Sequence, residues 1–187
     1  MYLIVGLGNP GEKLKGTRHN IGRETIMEWQ KKSDLADFEL DKKLNALTSE
    51  SKKAVLLLPE TMMNKSGNAV KPALRAFGVK PKDTIVLHDD ADIEFGRVKL
   101  SFGKHSAGHK GVESVKRALG TWDFWRLRIG IQKKKRVDAM KLVLQKFMPA
   151  EETAVKKVKK NLLEGLEMIV NEGPEKAMNF INQSVPR

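Results

Sequence analysis

The sequence predicts an α/β sandwich, a single domain over residues 1–187 with a mostly parallel or mixed sheet. Three observations predict it. Short β-branched and apolar runs alternate along the chain with stretches of helical period, the pattern of strands joined by helical connections. Gly and Pro fall between those runs and punctuate them,. No internal repeat or low-complexity linker divides the 187 residues, a length that supports one core of ordinary size.

The elements follow in order. Tyr2 to Leu7 reads as a buried strand ending in Gly6, Gly8 and Pro10. Ile21 to Lys32 reads as a helix with Ile21, Thr25, Ile26 and Trp29 on one face. Phe38 to Thr48 reads as short, partly exposed strands, and Val55 to Leu58 as an apolar strand stopped by Pro59. Ser66 to Phe77 is a helix closed by Gly78 and Pro81, which Pro72 should kink or shorten at its start. Thr84 to Leu87 is a second buried strand running into His88-Asp89-Asp90-Ala91-Asp92. Arg97 to Phe102 alternates like a strand exposed on one side. Gly108 to Leu119 reads as a helix and Arg126 to Ile131 as a strand. The remainder reads as helical: Val155, Val158, Leu162, Leu166 and Ile169 recur at steps of three and four,, and Gly173-Pro174 opens a last short helix.

Composition removes several classes of function. There is no cysteine, so disulfides, zinc thiolates, iron–sulfur clusters and a thiol nucleophile are out. No apolar run approaches the ~18–20 residues that cross a bilayer. Met1 leads straight into a strand-like run without a basic leader, so a signal peptide is not expected and a cytoplasmic location is. Lys plus Arg number 35 against 23 Asp plus Glu, a net charge of +12, which points to a polyanionic partner, nucleic acid before membrane. The surplus concentrates between Arg126 and Lys160, where 12 Lys and Arg face 3 acids. Lys133-Lys134-Lys135-Arg136 is its densest piece, and Lys156, Lys157, Lys159 and Lys160 follow on a helix. Any one of these lysines can be a solubilising residue; together they favour phosphate contact.

Several constellations could carry chemistry. Gly6-Leu7-Gly8-Asn9-Pro10-Gly11 matches the dinucleotide fingerprint, but no helix starts at once and no acidic residue follows at the expected distance. The simpler reading is a tight turn whose glycines permit positive φ, with Asn9 at its tip. His19, in Thr17-Arg18-His19-Asn20, is a natural general base near neutral pH or else a capping residue. Asp89, Asp90 and Asp92 follow a strand end, where the crevice of an open α/β sheet lies. Three acids could bind a divalent metal, yet one aspartate accepting from a histidine N–H is the simpler arrangement, and no metal is expected. His105 and His109 lack the glutamate of a zinc-protease pattern. Met63-Asn64-Lys65-Ser66-Gly67 places an amide before a helix, as an N-cap or as a partner to Asn9 across the crevice. No G-x-S-x-G elbow supports a serine acyl-enzyme.

Taken in order, these segments resemble a known family. Ile4-Val5-Gly6-Leu7-Gly8-Asn9-Pro10-Gly11, Thr17-Arg18-His19-Asn20, Met63-Asn64-x-Ser66-Gly67, His88-Asp89-x-x-Asp92, Gly108-His109-x-Gly111 and Leu127-Arg128-Ile129-Gly130-Ile131 are closely similar to bacterial-type peptidyl-tRNA hydrolase. The resemblance covers residue 2 to about residue 147, and six spaced motifs together are specific where one would be weak.

It implies a twisted mixed sheet flanked by helices, and a monomeric, cofactor- and metal-independent enzyme that hydrolyses the ester between a peptide and the 3′ ribose of tRNA. It implies His19 as general base and Asp89 as its orienting carboxylate. Asn9 and Asn64 would hold the terminal peptide unit or the attacking water, His109 would line the same cleft, and Arg128 would meet the tRNA 5′ phosphate. Three departures bear on affinity rather than chemistry. Leu14 stands where the family usually has Tyr, and so loses a stacking surface. Lys110 replaces an Asn, trading an amide for an ammonium able to reach a phosphate. Ser101 replaces the lysine that accompanies the 5′-phosphate arginine, with Lys99 and Lys104 near by as substitutes. The rivals are a non-catalytic RNA-binding protein on the same scaffold and a nucleotide- or metal-dependent enzyme.

Overall fold

A computed structural model describes residues 1–33 and 35–183. Among the described residues one sheet has seven strands in the order β2-β3-β4-β1-β5-β7-β6. Strands β1 (Tyr2–Gly6), β4 (Ala54–Pro59), β5 (Thr84–Glu94) and β7 (Trp125–Gln132) run parallel to one another in its centre. Strands β2 (Glu39–Asp41), β3 (Ala46–Glu50) and β6 (Val98–Phe102) add antiparallel at the two edges. The sheet is therefore mixed, as expected.

Both faces are covered, because successive strand residues point to opposite sides. Leu3, Val5 and Leu7 join Val55, Leu57 and Val86 under α2 (Gly67–Phe77) and α3 (Lys110–Leu119), which contribute Val70, Leu74, Val112 and Val115. Ile4, Leu56, Ile85, Leu87 and Leu127 face the other way. They meet Ile26 and Trp29 of α1 (Ile21–Lys32), Leu162 and Leu166 of α5 (Glu152–Glu172) and Ile181 of α6 (Pro174–Gln183). Each such side chain contributes roughly 1.5–3 kcal/mol of burial. No helix among the described residues is long and apolar enough to cross a membrane.

The start of α1 lies against the carboxyl ends of β1 and β5. A Cβ on Gly22 would sit 2.4 Å from the Leu87 carbonyl oxygen, so only glycine allows this approach. The Arg23 N–H completes the contact by donating to the Leu7 carbonyl at 2.9 Å. His19 and Asn20, just before α1, are thereby brought to the crevice.

Four expectations need correction. Gly6 and Gly8 do not serve a left-handed turn; a Cβ on either would strike the Gly22–Arg23 segment of α1, and only Gly11 of the three has positive φ. Asn9 is buried, not presented at a tip. The His88–Asp92 motif lies inside β5, because β7 keeps pairing beyond the point where β1 ends: His88, Asp89 and Asp90 register with Arg128, Ile129 and Gly130. The C-terminal region is not continuously helical; α4 (Ala139–Val143) is a short helix between irregular segments. Helix α2 starts at Gly67 with Ser66 at its N-cap position, one residue later than expected, and Pro72 lies within it.

Candidate active site

Three elements meet at Asp89 on β5. Its carboxylate is 1% exposed and accepts from two histidines. His19 Nδ1 lies 2.9 and 3.0 Å from its two oxygens, and His109 Nε2 lies 2.8 Å from Oδ1. His19 comes from the 3₁₀ turn Arg18–Asn20 and His109 from the N-cap of α3. The sequence pairing of one histidine with one aspartate was thus incomplete: the carboxylate is shared.

The hydrogen bonds assign the proton positions. His109 Nδ1 accepts from the Gly111 and Val112 N–H groups at 3.1 and 3.3 Å, so it carries no proton and Nε2 is the donor to Asp89. A carboxylate can only accept, so His19 also donates, through Nδ1. That leaves His19 Nε2 as a free lone pair. Burial pushes the Asp89 carboxyl up, but the charges and hydrogen bonds of His109 and His19 outweigh it and hold the group well below the usual carboxylate range,.

His88, absent from the site read from sequence, completes the cluster. It is fully buried, its Nδ1 is 2.7 Å from the Asp89 carbonyl, and its ring packs edge-on to His109 with centroids 4.7 Å apart. Burial, followed by His109 and Arg126, pushes its pKa well below the ordinary value, so it is a neutral donor that braces the Asp89 backbone. Its place directly before Asp89 was the only available signal.

The three acids separate. Asp90 Oδ2 accepts from Arg128 Nε at 2.7 Å, and Asp92 Oδ1 accepts from the exposed Arg136 at 2.7 Å. They do not form the carboxylate cluster a hard cation would require. The ligand atoms that do gather are those of His19, Asp89 and His109, all within 4.8 Å of one another. Direct hydrogen bonds already join them, and a bound ion would have to break both.

His19, Asp89, His109 and Lys110 line one cavity of about 240 Å³, whose opposite wall is Met140, Val143 and Leu144. The asparagines do not open onto it. Asn9 lines a neighbouring cavity with Asn20 and Arg23. Its Oδ1 accepts from the Met63 N–H at 2.8 Å, and Asn20 brackets its backbone with bonds of 2.9 Å at both N and O. Only its Nδ2 side remains for a ligand. Asn64 is exposed in the 3₁₀ turn Met63–Lys65 and caps nothing; the N-cap position of α2 is Ser66. Leu14 is half-buried at the end of the 3₁₀ turn Glu12–Leu14.

The basic candidates lie on the neighbouring strands. Arg128 on β7 sits directly opposite Lys99 on β6, and Ser101 opposite Arg126. Lys99 and Lys104 are exposed; Ser101 is buried with its hydroxyl unpartnered. Arg126 is also buried, donates to the His105 carbonyl, and is pulled down to about 10 by burial, then by Arg128. It belongs to the interior and not to the basic surface. Lys159 pairs with Glu24 and Glu28 at 3.8 and 3.5 Å, while Lys134, Lys135, Lys156 and Lys160 are exposed.

Comparison with known proteins agrees with this fold. A family model described as Peptidyl-tRNA hydrolase matches residues 3–187. A protein named peptidyl-tRNA hydrolase from Thermodesulfovibrio yellowstonii is 39% identical over 186 residues, 98% of this chain and 100% of its own. Another from Geotalea uraniireducens is 40% identical over 185 residues, 96% of this chain and 95% of its own. A crystal structure of peptidyl-tRNA hydrolase from Acinetobacter baumannii superposes with a TM-score of 0.90 at 30% identity, covering 100% of this chain and 97% of that one.

Proposed function

The chain belongs to the peptidyl-tRNA hydrolase family, whose reaction is cleavage of the ester between peptide and tRNA, and we propose that this chain performs it with His19 as general base. One observation carries the assignment: Asp89 fixes His19 through Nδ1 at 2.9 Å inside a cavity, leaving Nε2 as the basic nitrogen. Nε2 takes a proton from water, the hydroxide attacks the ester carbonyl, and Asp89 stabilises the imidazolium that forms; the tetrahedral intermediate then breaks its bond to the ribose 3′ oxygen, which takes the proton back from His19 Nε2. His109 donates to Asp89 Oδ1 and holds its rotamer. From the neighbouring cavity the amide of Asn9, through Nδ2, and exposed Asn64 hold the terminal peptide unit. A positioned base contributes ~10²–10⁴ in rate, which suits an ester.

The remaining residues bind tRNA. Lys110 reaches a phosphate from the cavity mouth, and Leu14 packs against the acceptor end without stacking. Arg128, with one nitrogen on Asp90, keeps its other donors for the 5′ phosphate. Lys99, directly across the ladder, together with Lys104, replaces the cation that buried Ser101 cannot supply. The protein acts as one domain, residues 1–187, as a cytoplasmic monomer without membrane attachment, metal or cofactor. A non-catalytic RNA-binding role is not favoured, since a binder has no use for the shared carboxylate.

His19→Ala should lose hydrolysis of N-acyl-aminoacyl-tRNA by orders of magnitude while tRNA binding persists. Near-normal turnover would remove His19 from the role.

A further inference from the structure

We infer that Arg18 is a positioning residue for this reaction: paired with Glu151, it fastens the turn that carries His19 to the segment that holds α4, and so keeps α4 in place as an apolar wall for a side chain of the substrate's peptide. The inference rests on the reading of the site given above.

Arg18 precedes His19 and is 0% exposed. Its Nη2 donates to both carboxylate oxygens of Glu151, at 2.8 and 2.6 Å, and its guanidinium lies over the Phe147 ring, 4.6 Å from the centroid. The backbone joins in: the Arg18 N–H donates to the Gln145 carbonyl at 2.9 Å, and Thr17 bridges to Lys146. Glu151 also accepts from the Met148 N–H at 2.7 Å, so it stiffens the same segment. Burial pushes its carboxyl up, and the bonds from Arg18 and Met148 bring it below its ordinary value.

This segment follows α4, whose other end is held by Gln132. The Gln132 amide bonds both the N–H and the carbonyl of Val137, at 3.0 and 3.1 Å, and reaches the Ala91 carbonyl on β5 at 2.9 Å. Between these anchors α4 has only five residues and buries only Leu142. A helix that short has no stability of its own, so its position comes from the anchors. Its exposed Met140 and Leu144, at 69% and 59%, stand in the same cavity as His19.

The chemistry of the anchor is informative. Arg18 Nε and Nη1 are buried without partners, an unfavourable condition that an apolar contact would avoid. What the charge pair adds is direction. The occupant follows from reach: the ester carbonyl must lie within hydrogen-bond distance of the water that His19 activates, and the side chain on the adjacent Cα then meets the α4 wall.

The test compares N-acetyl-phenylalanyl-tRNA with N-acetyl-glycyl-tRNA. Glu151→Gln should raise KM for the phenylalanyl substrate by about tenfold, the loss of roughly half the burial of one apolar side chain, and leave the glycyl substrate within about twofold. The acid limb of the kcat/KM profile should not move, because Asp89 still holds His19. Phe147→Leu, which keeps the ion pair and folds if the first variant does not, should shift KM the same way by less. The double variant R18M/E151L, with an apolar pair in place of the charges, should recover the melting temperature but not the KM. The inference is overturned if neither Glu151→Gln nor Phe147→Leu changes the ratio between the two substrates. It is equally overturned if R18M/E151L restores KM together with stability, which would make the pair structural only. Failure of the unmodified protein to cleave either substrate would instead defeat the reading of the site, and this inference with it.

Discussion

Replacing Asp89 with Asn tests the proton assignment directly. His109 must donate through Nε2, because its Nδ1 already accepts from two helix N–H groups. The amide of an Asn at position 89 must therefore turn its oxygen to the Oδ1 position, 2.8 Å from His109. Its nitrogen then falls at the Oδ2 position, 3.0 Å from His19 Nδ1, while the oxygen stays 2.9 Å from the same Nδ1 and is shared with His109. The amide hydrogens repel the Nδ1–H that the shared oxygen accepts, so the Nε2–H tautomer of His19 gains at the expense of the base. The negative charge that supports the imidazolium is lost as well. A serine protease with the equivalent change loses ~10⁴ in kcat, so a fall of about 10³–10⁴ is expected here, about 4–5 kcal/mol in the barrier. Steady-state hydrolysis of N-acyl-aminoacyl-tRNA measures the loss, and ¹⁵N shifts of the His19 ring report the tautomer. Adding His109→Ala to Asp89→Asn frees the amide to turn its oxygen toward His19. The double variant should then be about tenfold more active than the single one, a non-additivity that only a shared acceptor produces. A loss below tenfold in Asp89→Asn, or a double variant no better than the single, would refute the reasoning.

Three further outcomes are expected. Hydrolysis should be unchanged by EDTA; a loss restored by a divalent ion would turn His19, Asp89 and His109 from hydrogen-bonded partners into ligands. His88 takes up its proton in the unfolded chain at about pH 6.5 but only at much lower pH when folded, so below pH 6.5 it costs stability, by up to about 1.4 kcal/mol per pH unit. His88→Asn, which can still donate to the Asp89 carbonyl, should show a flatter acid limb in urea unfolding between pH 7 and 5, and parallel limbs would rule that linkage out. Affinity for tRNA should fall steeply with salt, and substituting Lys133, Lys134 and Lys135 together should reduce the log–log slope by about 2–3; a flat response would reassign these lysines to solubility.

Much of the site was legible because its parts are local. The glycine turn after β1, the Thr-Arg-His-Asn segment and the acids after an apolar run are all strand-end features, and an open α/β sheet gathers its strand ends at one crevice. That gathering brings His19 to the crevice shared with the three aspartates; the choice of Asp89 among them rests on the family resemblance. Other features had no local signature. The extension of β5 through three aspartates contradicts strand propensity, and pairing with β7 overrides it.

From the amino-acid pattern alone came the α/β class, the strand and helix faces and the polyanionic partner, since side-chain period and turn chemistry are properties of neighbouring residues; the pairing of His19 with Asp89 came from the family resemblance. Packing alone decided that His109 shares the carboxylate, that Asn9 faces a different cavity, that Arg126 is interior, and that Arg18 meets Glu151 133 positions away. Spacing along a chain carries no distance once the chain folds back on itself; where two remote side chains meet is fixed by how the helices settle on the sheet.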